Sequence, residues 1–205
     1  MSAKSSDQLD VSRETMQRLE VYAALLTKWN PAINLVAHST LPDLWSRHFV
    51  DSAQIYDLAP KNINMWCDMG AGGGFPGLVT AILAAEADPG RTTVCVESDL
   101  RKATFLRTVI RETGIRASVE AHRIESVAPL GADVVSARAL APLSDLLGYA
   151  SRHLTENGVC LFLKGENFNK ELDEALDHWR FELDTYPSKT NPSATILKIG
   201  DLTRA

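Results

Sequence analysis

The sequence predicts an α/β protein: a mostly parallel, twisted sheet with helices on both faces and a helical extension at the N-terminus. Three observations lead there. From about residue 62, short apolar runs alternate with helix-like segments, a rhythm that implies right-handed crossovers and a sheet covered on both sides. Before that point, apolar residues recur at helical spacing instead. Where the first strand should hand over to its helix stands a glycine-rich elbow, "DMGAGGGFPG", residues 68–77.

Residues 6–28 read as one amphipathic helix, carried by Leu9, Met16, Leu19, Val21, Tyr22, Leu25 and Leu26. It should break at Asn30-Pro31, since the residue before proline avoids the helical region. A second helix is expected from near Pro42 through "DLWSRHFVDSAQIYDL". The strand candidates are "INMWCDM", "TTVCVES", "ASVEAH", "ADVVSA" and "VCLFLK", with helices over 76–87, 99–113 and 142–154 between them. Gly114 and Gly158 lie at or beyond helix ends, as left-handed caps commonly do. The tail "FELDTYPSKTNPSATILKIG" holds two extended stretches around a Pro/Asn turn, read as an antiparallel pair at the sheet edge. The chain thus divides into an extension, residues 1–60, packed on a core, residues 61–205, forming one structural domain.

Composition narrows the function classes. Hydrophobic content of 45% with 23% charged residues is that of a globular domain. No secretory leader is legible at the start, and no apolar run reaches the roughly 18 residues of a membrane span. Cys67, Cys95 and Cys160 lie far apart in apolar runs, which predicts buried, reduced thiols of a cytoplasmic protein and no metal site. The formal charge of −5 argues weakly against nucleic acid. Residues 91–138, however, carry eight basic residues against six acidic, leaving room for a local basic face.

In a sheet of this kind, ligands gather beyond the carboxyl ends of the strands. That selects residues 68–77, Glu97, 122–125, Arg138 and Lys164. Any one of them could be polar only because strand ends meet water; five at one edge make a site. The elbow fits two patterns: Gly72, Gly74 and Gly77 match the dinucleotide fingerprint, while Gly70, Gly72 and Gly74 match the looser G-x-G-x-G of nucleoside-cofactor enzymes. Charge separates them. A pyrophosphate needs free backbone N–H groups at a helix start, but Pro76 has none, Phe75 adds bulk and the Asp68 carboxylate would repel it. The same carboxylate suits S-adenosylmethionine, which carries an ammonium and a sulfonium. Glu97, about 20 residues past the last glycine, stands where such sheets bind ribose hydroxyls.

"DMGAGGGFPG" resembles the D-x-G-x-G-x-G-[FL]-P-G loop of the RsmG (GidB) family, bacterial methyltransferases that modify guanine N7 in 16S ribosomal RNA. "KWNPAINLVA", "RHFVDSAQI", "ESDLRKATFLR", "HRIESV", "SARALAPL" and "FLKG" follow in that family's order, from about Lys28 to Gly165. The resemblance implies a Rossmann-like class I methyltransferase using S-adenosylmethionine, with the small ribosomal subunit as partner; a monomer is expected. It places Gly70 and Phe75 against the cofactor, Glu97 at the ribose, and Ile124 with Glu125 at the adenine. Asp68, Gly72 and Gly74 join the cofactor set. Arg138 falls at the boundary of cofactor and active site and, with Lys164, is the candidate catalytic pair. Arg47, His48, Arg123 and Lys164 are the candidate RNA-facing residues. Ala71 departs from the family's usual hydroxyl residue.

The chemistry suits this set. Guanine N7 carries a lone pair and no proton, so methyl transfer needs no general base, and positioning supplies the largest contribution. No Ser-His-Asp set is needed, and no N-P-P-Y or D-P-P-Y tetrad occurs, which argues against exocyclic amino-group methylation of adenine. Arg138 or Lys164 could donate to guanine O6. His48 could equally be a helix residue bonded to Asp51 or Ser52. Trp66 is expected in the core. The alternative is a class I methyltransferase acting on a small molecule or a protein, because a fold does not fix its substrate.

Overall fold

The computed structural model describes residues 9–205. Strands β1 (Met65–Met69), β2 (Thr92–Val96), β3 (Ala117–Glu120), β4 (Ala132–Arg138), β5 (Leu154–Lys164), β6 (Trp179–Pro187) and β7 (Thr195–Arg204) form one sheet, ordered β3-β2-β1-β4-β5-β7-β6. The first five strands run parallel. β7 pairs antiparallel with β5 and with β6, so the tail hairpin closes one edge as its composition predicts. β1 is flanked by β2 and β4, and the order reverses between β1 and β4. That reversal opens a crevice at the strands' carboxyl ends.

Helices α1 (Arg13–Ile33), α3 (Gly77–Ala87) and α4 (Leu100–Thr113) lie on one face; α5 (Leu143–His153) and α6 (Phe168–Leu176) lie on the other. Between α1 and β1 runs an irregular helical segment, a π-helical turn at Trp45–Val50 continuing into a short α2 (Asp51–Ala53). On the first face, Leu19, Tyr22 and Leu26 of α1 share a core with Leu78, Ile82, Phe105 and Leu106. The extension is therefore built into the hydrophobic core of the sheet's first half.

Three expectations need correction. The helix over 6–28 starts later: Ser12 caps α1, its hydroxyl accepting from the Thr15 N–H at 3.1 Å. Residues 6–8 of that expectation lie outside the described residues. Nor does Asn30-Pro31 end the helix, because Pro31 sits in its last turn, where a missing N–H forfeits a single ladder bond. Asn34, in the left-handed region at φ 48°, ends it instead, and the buried Asn30 side chain accepts the Val36 N–H at 2.8 Å. Finally, α6 was not anticipated. Trp66 is fully buried, as expected, and Trp179 is nearly so. All three cysteines are free and buried, and burial holds each thiol's pKa up.

Candidate functional site

The crevice at the carboxyl ends of β1, β2, β4 and β5 is a cavity of about 1090 Å³, at the upper end of small-molecule and cofactor sites. Its floor is the elbow between β1 and α3, where Gly70, Gly72 and Gly74 adopt positive φ. A Cβ at Gly72 would meet the Gly70 carbonyl oxygen at 3.7 Å, an ordinary contact, so only its backbone conformation (φ 55°) calls for glycine.

Asp68 holds the elbow from beneath. It is fully buried and does not line the cavity. Its Oδ2 accepts the Gly77 N–H at 3.0 Å, capping α3, and its Oδ1 accepts the hydroxyl of Ser136, its register partner on β4, at 2.6 Å. Ser136 in turn accepts from the Trp66 indole N–H at 2.8 Å. Burial raises the Asp68 pKa to about 7, against the pull of those two hydrogen bonds. The expectation that Asp68 faces a ligand is thus corrected: its carboxyl group turns into the protein, onto Gly77 and Ser136. Gly74 is corrected likewise, since it lies outside the cavity lining, packed under the Tyr22 hydroxyl and Leu78.

The remaining candidates line the cavity together. Glu97, 8% exposed just past β2, accepts the Gly72 N–H and the Asp99 N–H, each at 2.8 Å. Each oxygen still has a lone pair to offer. Ile124, buried, and Glu125, exposed, sit on a 3₁₀ turn after β3, with Arg123 at 3.2 Å from the Glu125 carboxylate. Gly70 lies beneath Leu140, which follows the sharp bend at Ala139 (φ 52°).

Arg138 ends β4 with its guanidinium over the Phe75 ring, 4.9 Å from the centroid. Its Nη1 donates to the Arg47 carbonyl at 3.3 Å and to Asp51 Oδ2 at 3.2 Å, and its Nη2 to His48 Nδ1 at 2.9 Å. Three of five N–H donors are used this way, leaving two for a ligand. Because arginine can only donate, His48 Nδ1 must be the unprotonated nitrogen, and Nε2–H donates to the Thr40 hydroxyl at 2.8 Å. Burial first, then the charges of Arg138 and Arg47, lower the His48 pKa to about 3. His48 is therefore neutral, its ring tilted at 34° against Phe75 with centroids 5.0 Å apart, and its hydrogen bonds run to Arg138 and Thr40 rather than to Asp51 or Ser52.

Lys164 ends β5 and reaches the Ala141 carbonyl at 3.1 Å and Glu171 on α6 at 2.5 Å. Glu171 also accepts the Leu143 N–H at 2.7 Å, capping α5. Arg47 and Arg123 are exposed at the rim. The sequence reading missed Glu171, Asp51, and the β6–β7 loop with Ser188, Thr190 and Asn191, all of which line the same cavity. Asp51 had a signal, standing one turn beyond Arg47 and His48; the loop, polar and remote in sequence, had none.

With this geometry in hand, comparison with known proteins is informative. A family model described as GidB, rRNA small subunit methyltransferase G, matches residues 15–195. Ribosomal RNA small subunit methyltransferase G of a Ruegeria species is 52% identical over 197 residues, 96% of either chain. The protein of that name from Ruegeria pomeroyi is 51% identical over the full length of both chains. Among solved structures, a methyltransferase from Geobacter sulfurreducens superposes with a TM-score of 0.59 at 14% identity, covering 95% of this chain and 93% of the other. A TehB-like SAM-dependent methyltransferase from Corynebacterium glutamicum gives 0.57 at 16% identity, covering 91% and 97%. The fold is the Rossmann-like class I methyltransferase fold.

Proposed function

Given that the chain belongs to the rRNA small subunit methyltransferase G family, we propose that it methylates N7 of a guanine in 16S ribosomal RNA, using S-adenosylmethionine, in the cytoplasm. The observation that carries the choice of cofactor is the bond from the Gly77 N–H to Asp68. The helix start that would cradle a pyrophosphate is already closed by a carboxylate from the same chain. A dinucleotide finds no anion site there, and a cofactor without phosphate needs none.

The residues at the crevice fit S-adenosylmethionine. Glu97, its carboxylate fixed by two backbone N–H groups, accepts from the ribose hydroxyls. Ile124 and Glu125 border the adenine, and Gly70, Gly72 and Phe75 form the floor beneath the amino-acid end. When bound, the cofactor supplies an electrophilic methyl group on a sulfonium. What the protein adds is placement. Arg138, locked between Phe75, His48 and Asp51, presents its two free donors to the guanine O6 edge beside N7. Lys164 has one ammonium hydrogen left after Ala141 and Glu171, and serves the same edge. Glu171 provides a carboxylate on the wall next to a base that becomes cationic on methylation. His48 stays neutral at working pH, and no base is required, because N7 has no proton to lose. Arg47 and Arg123 at the rim meet the RNA backbone.

The test is direct. Incubation with labelled S-adenosylmethionine and small subunits lacking the modification should place one 7-methylguanosine in 16S ribosomal RNA. Absence of labelled 7-methylguanosine, with label on another base or on protein, would defeat the assignment. Calorimetry should show binding of S-adenosylhomocysteine and none of a nicotinamide dinucleotide.

A further inference from the structure

Asp51 joins three segments far apart in sequence. Its Oδ2 meets Arg138 Nη1 at 3.2 Å. Its Oδ1 accepts from the Thr190 hydroxyl at 2.7 Å, the Gln54 amide at 2.9 Å and the Ser188 hydroxyl at 3.3 Å. Around it the β6–β7 loop is held by side chains as well as by its own backbone, where the Ser188 N–H donates to the Ala194 carbonyl at 2.9 Å and the Ala194 N–H to the Asn191 carbonyl at 3.0 Å. The Ser188 hydroxyl accepts the N–H groups of Thr190 and Asn191, at 3.2 Å and 3.3 Å, and the Gln54 carbonyl oxygen accepts the Lys189 N–H at 2.9 Å. Asp51, Ser188, Thr190 and Arg138 all line the cavity, and the Asp51 side chain is only 14% exposed. A carboxylate this enclosed, whose every partner borders the site or holds a neighbour that does, is placed to set the geometry of one wall.

We infer that Asp51 is a positioning residue for methyl transfer, acting through Thr190 to fix the β6–β7 loop and through Arg138 to fix the guanidinium, so that loop and arginine form a single wall against the target nucleotide. This rests on reading the crevice as the methyl-transfer site. The physical reason is a division of labour on one carboxylate. Arg138 is pinned on one side by Phe75 of the cofactor elbow and on another by His48. Asp51 is the link that carries that fixed position across to a loop whose other bonds to the extension run through Gln54. Freed from Asp51, the loop keeps its fold through Ser188 and Gln54 but loses its register against Arg138. The wall is then intact in parts and misaligned as a whole, which costs orientation more than cofactor binding.

Thr190→Val removes the hydroxyl and keeps the shape. It should lower kcat/KM for small-subunit RNA roughly tenfold while leaving S-adenosylhomocysteine affinity within about twofold. Thr190→Ser, which restores the hydroxyl, should recover wild-type kinetics. Asp51→Ala should cost about a hundredfold, and adding Thr190→Val to it should cost much less than it does alone, because the link to Asp51 is already cut and only the Ser188–Thr190 hydroxyl contact at 3.0 Å is left to lose. Wild-type kinetics in Thr190→Val, failure of Thr190→Ser to recover, or multiplying effects in the double variant would overturn the inference. If Asp51→Ala does not fold, the valine and serine variants decide between the outcomes alone. Should wild-type protein itself not bind S-adenosylhomocysteine, it is the assignment of the crevice that fails, which the calorimetry reports separately.

Discussion

A methyl group at Gly77 would lie 2.5 Å from the Asp68 Cβ and 2.6 Å from its Oδ2, closer than any real contact. Gly72 faces no such neighbour and calls for glycine only through its φ of 55°. The two glycines therefore fail differently. Gly77→Ala must displace the carboxylate that caps α3 and binds Ser136, and should cost about 2–4 kcal/mol in urea denaturation, as overpacking that also breaks a buried polar pair does. Gly72→Ala should cost about 1 kcal/mol, the penalty of a left-handed alanine; equal losses at both positions would refute the distinction. The same carboxylate marks where reading from sequence ran out. That Asp68 belongs to the elbow is legible, since an acid before a glycine run at a strand end has few other uses. Its direction is not, because the register that sets it opposite Ser136 arises from a strand pairing across 68 residues. Glu97, Arg138 and Lys164 were legible for a simpler reason: each is the first charged or acidic group after an apolar run, and the parallel sheet brings such positions to one edge.

Among elements, α1 is more than a cover. The Tyr22 hydroxyl donates to the Gly73 carbonyl within the elbow, and the Tyr22 ring stacks on Phe75 at 5.2 Å. A helix of the extension thus bonds the backbone of the glycine elbow. Tyr22→Phe keeps the ring and leaves the Gly73 carbonyl buried without its partner, which should cost about 1–3 kcal/mol of stability. Because that carbonyl sits between Gly72 and Gly74, S-adenosylhomocysteine affinity measured by calorimetry should fall with it; unchanged affinity would mean the elbow is set without α1. Most βα units were readable because the strand is a short apolar run and the helix is largely apolar, as α3 is, or has one apolar face, as α4 and α5 do. By contrast, α6 escaped because it is only nine residues long, although Phe168, Leu172 and Ala175 do mark an apolar face at helical spacing. Yet its Glu171 holds Lys164 and caps α5. Pro31 misled for the opposite reason: a strong local signal, outweighed because a proline in the last turn sacrifices only one ladder bond.

Across the whole molecule, the elbow and the extension respond to pH in opposite senses, and one guanidinium sits between them. The folded state holds a proton on Asp68 up to about pH 7, whereas the unfolded carboxyl releases it near 3.8. Between those values the native state binds more protons, so this group makes stability fall as pH rises. His48 does the reverse. Its folded pKa of about 3 against an ordinary 6.5 means that the unfolded chain takes up the proton first as pH falls. The contribution of neutral His48 is fully present above pH 6.5 and drains away toward pH 3. From pH 3.8 to 6.5 the two slopes oppose one another, and Arg138 lowers both pKa values, so the wild-type dependence in that interval is damped. Substitution should unmask each arm. Urea midpoints of Asp68→Asn should climb more steeply with pH than those of wild type, because only the His48 arm is left. His48→Gln should show midpoints that rise less with pH, or decline, over the same interval. Parallel midpoint curves for wild type and both variants would show that neither burial shifts a proton. The catalytic consequence follows from the same two groups: His48 is already neutral at pH 7 and N7 needs no base. Single-turnover methylation should therefore be flat in pH from about 7.5 to 9, and a rise with the slope of one ionisation would reveal a base that this site does not contain.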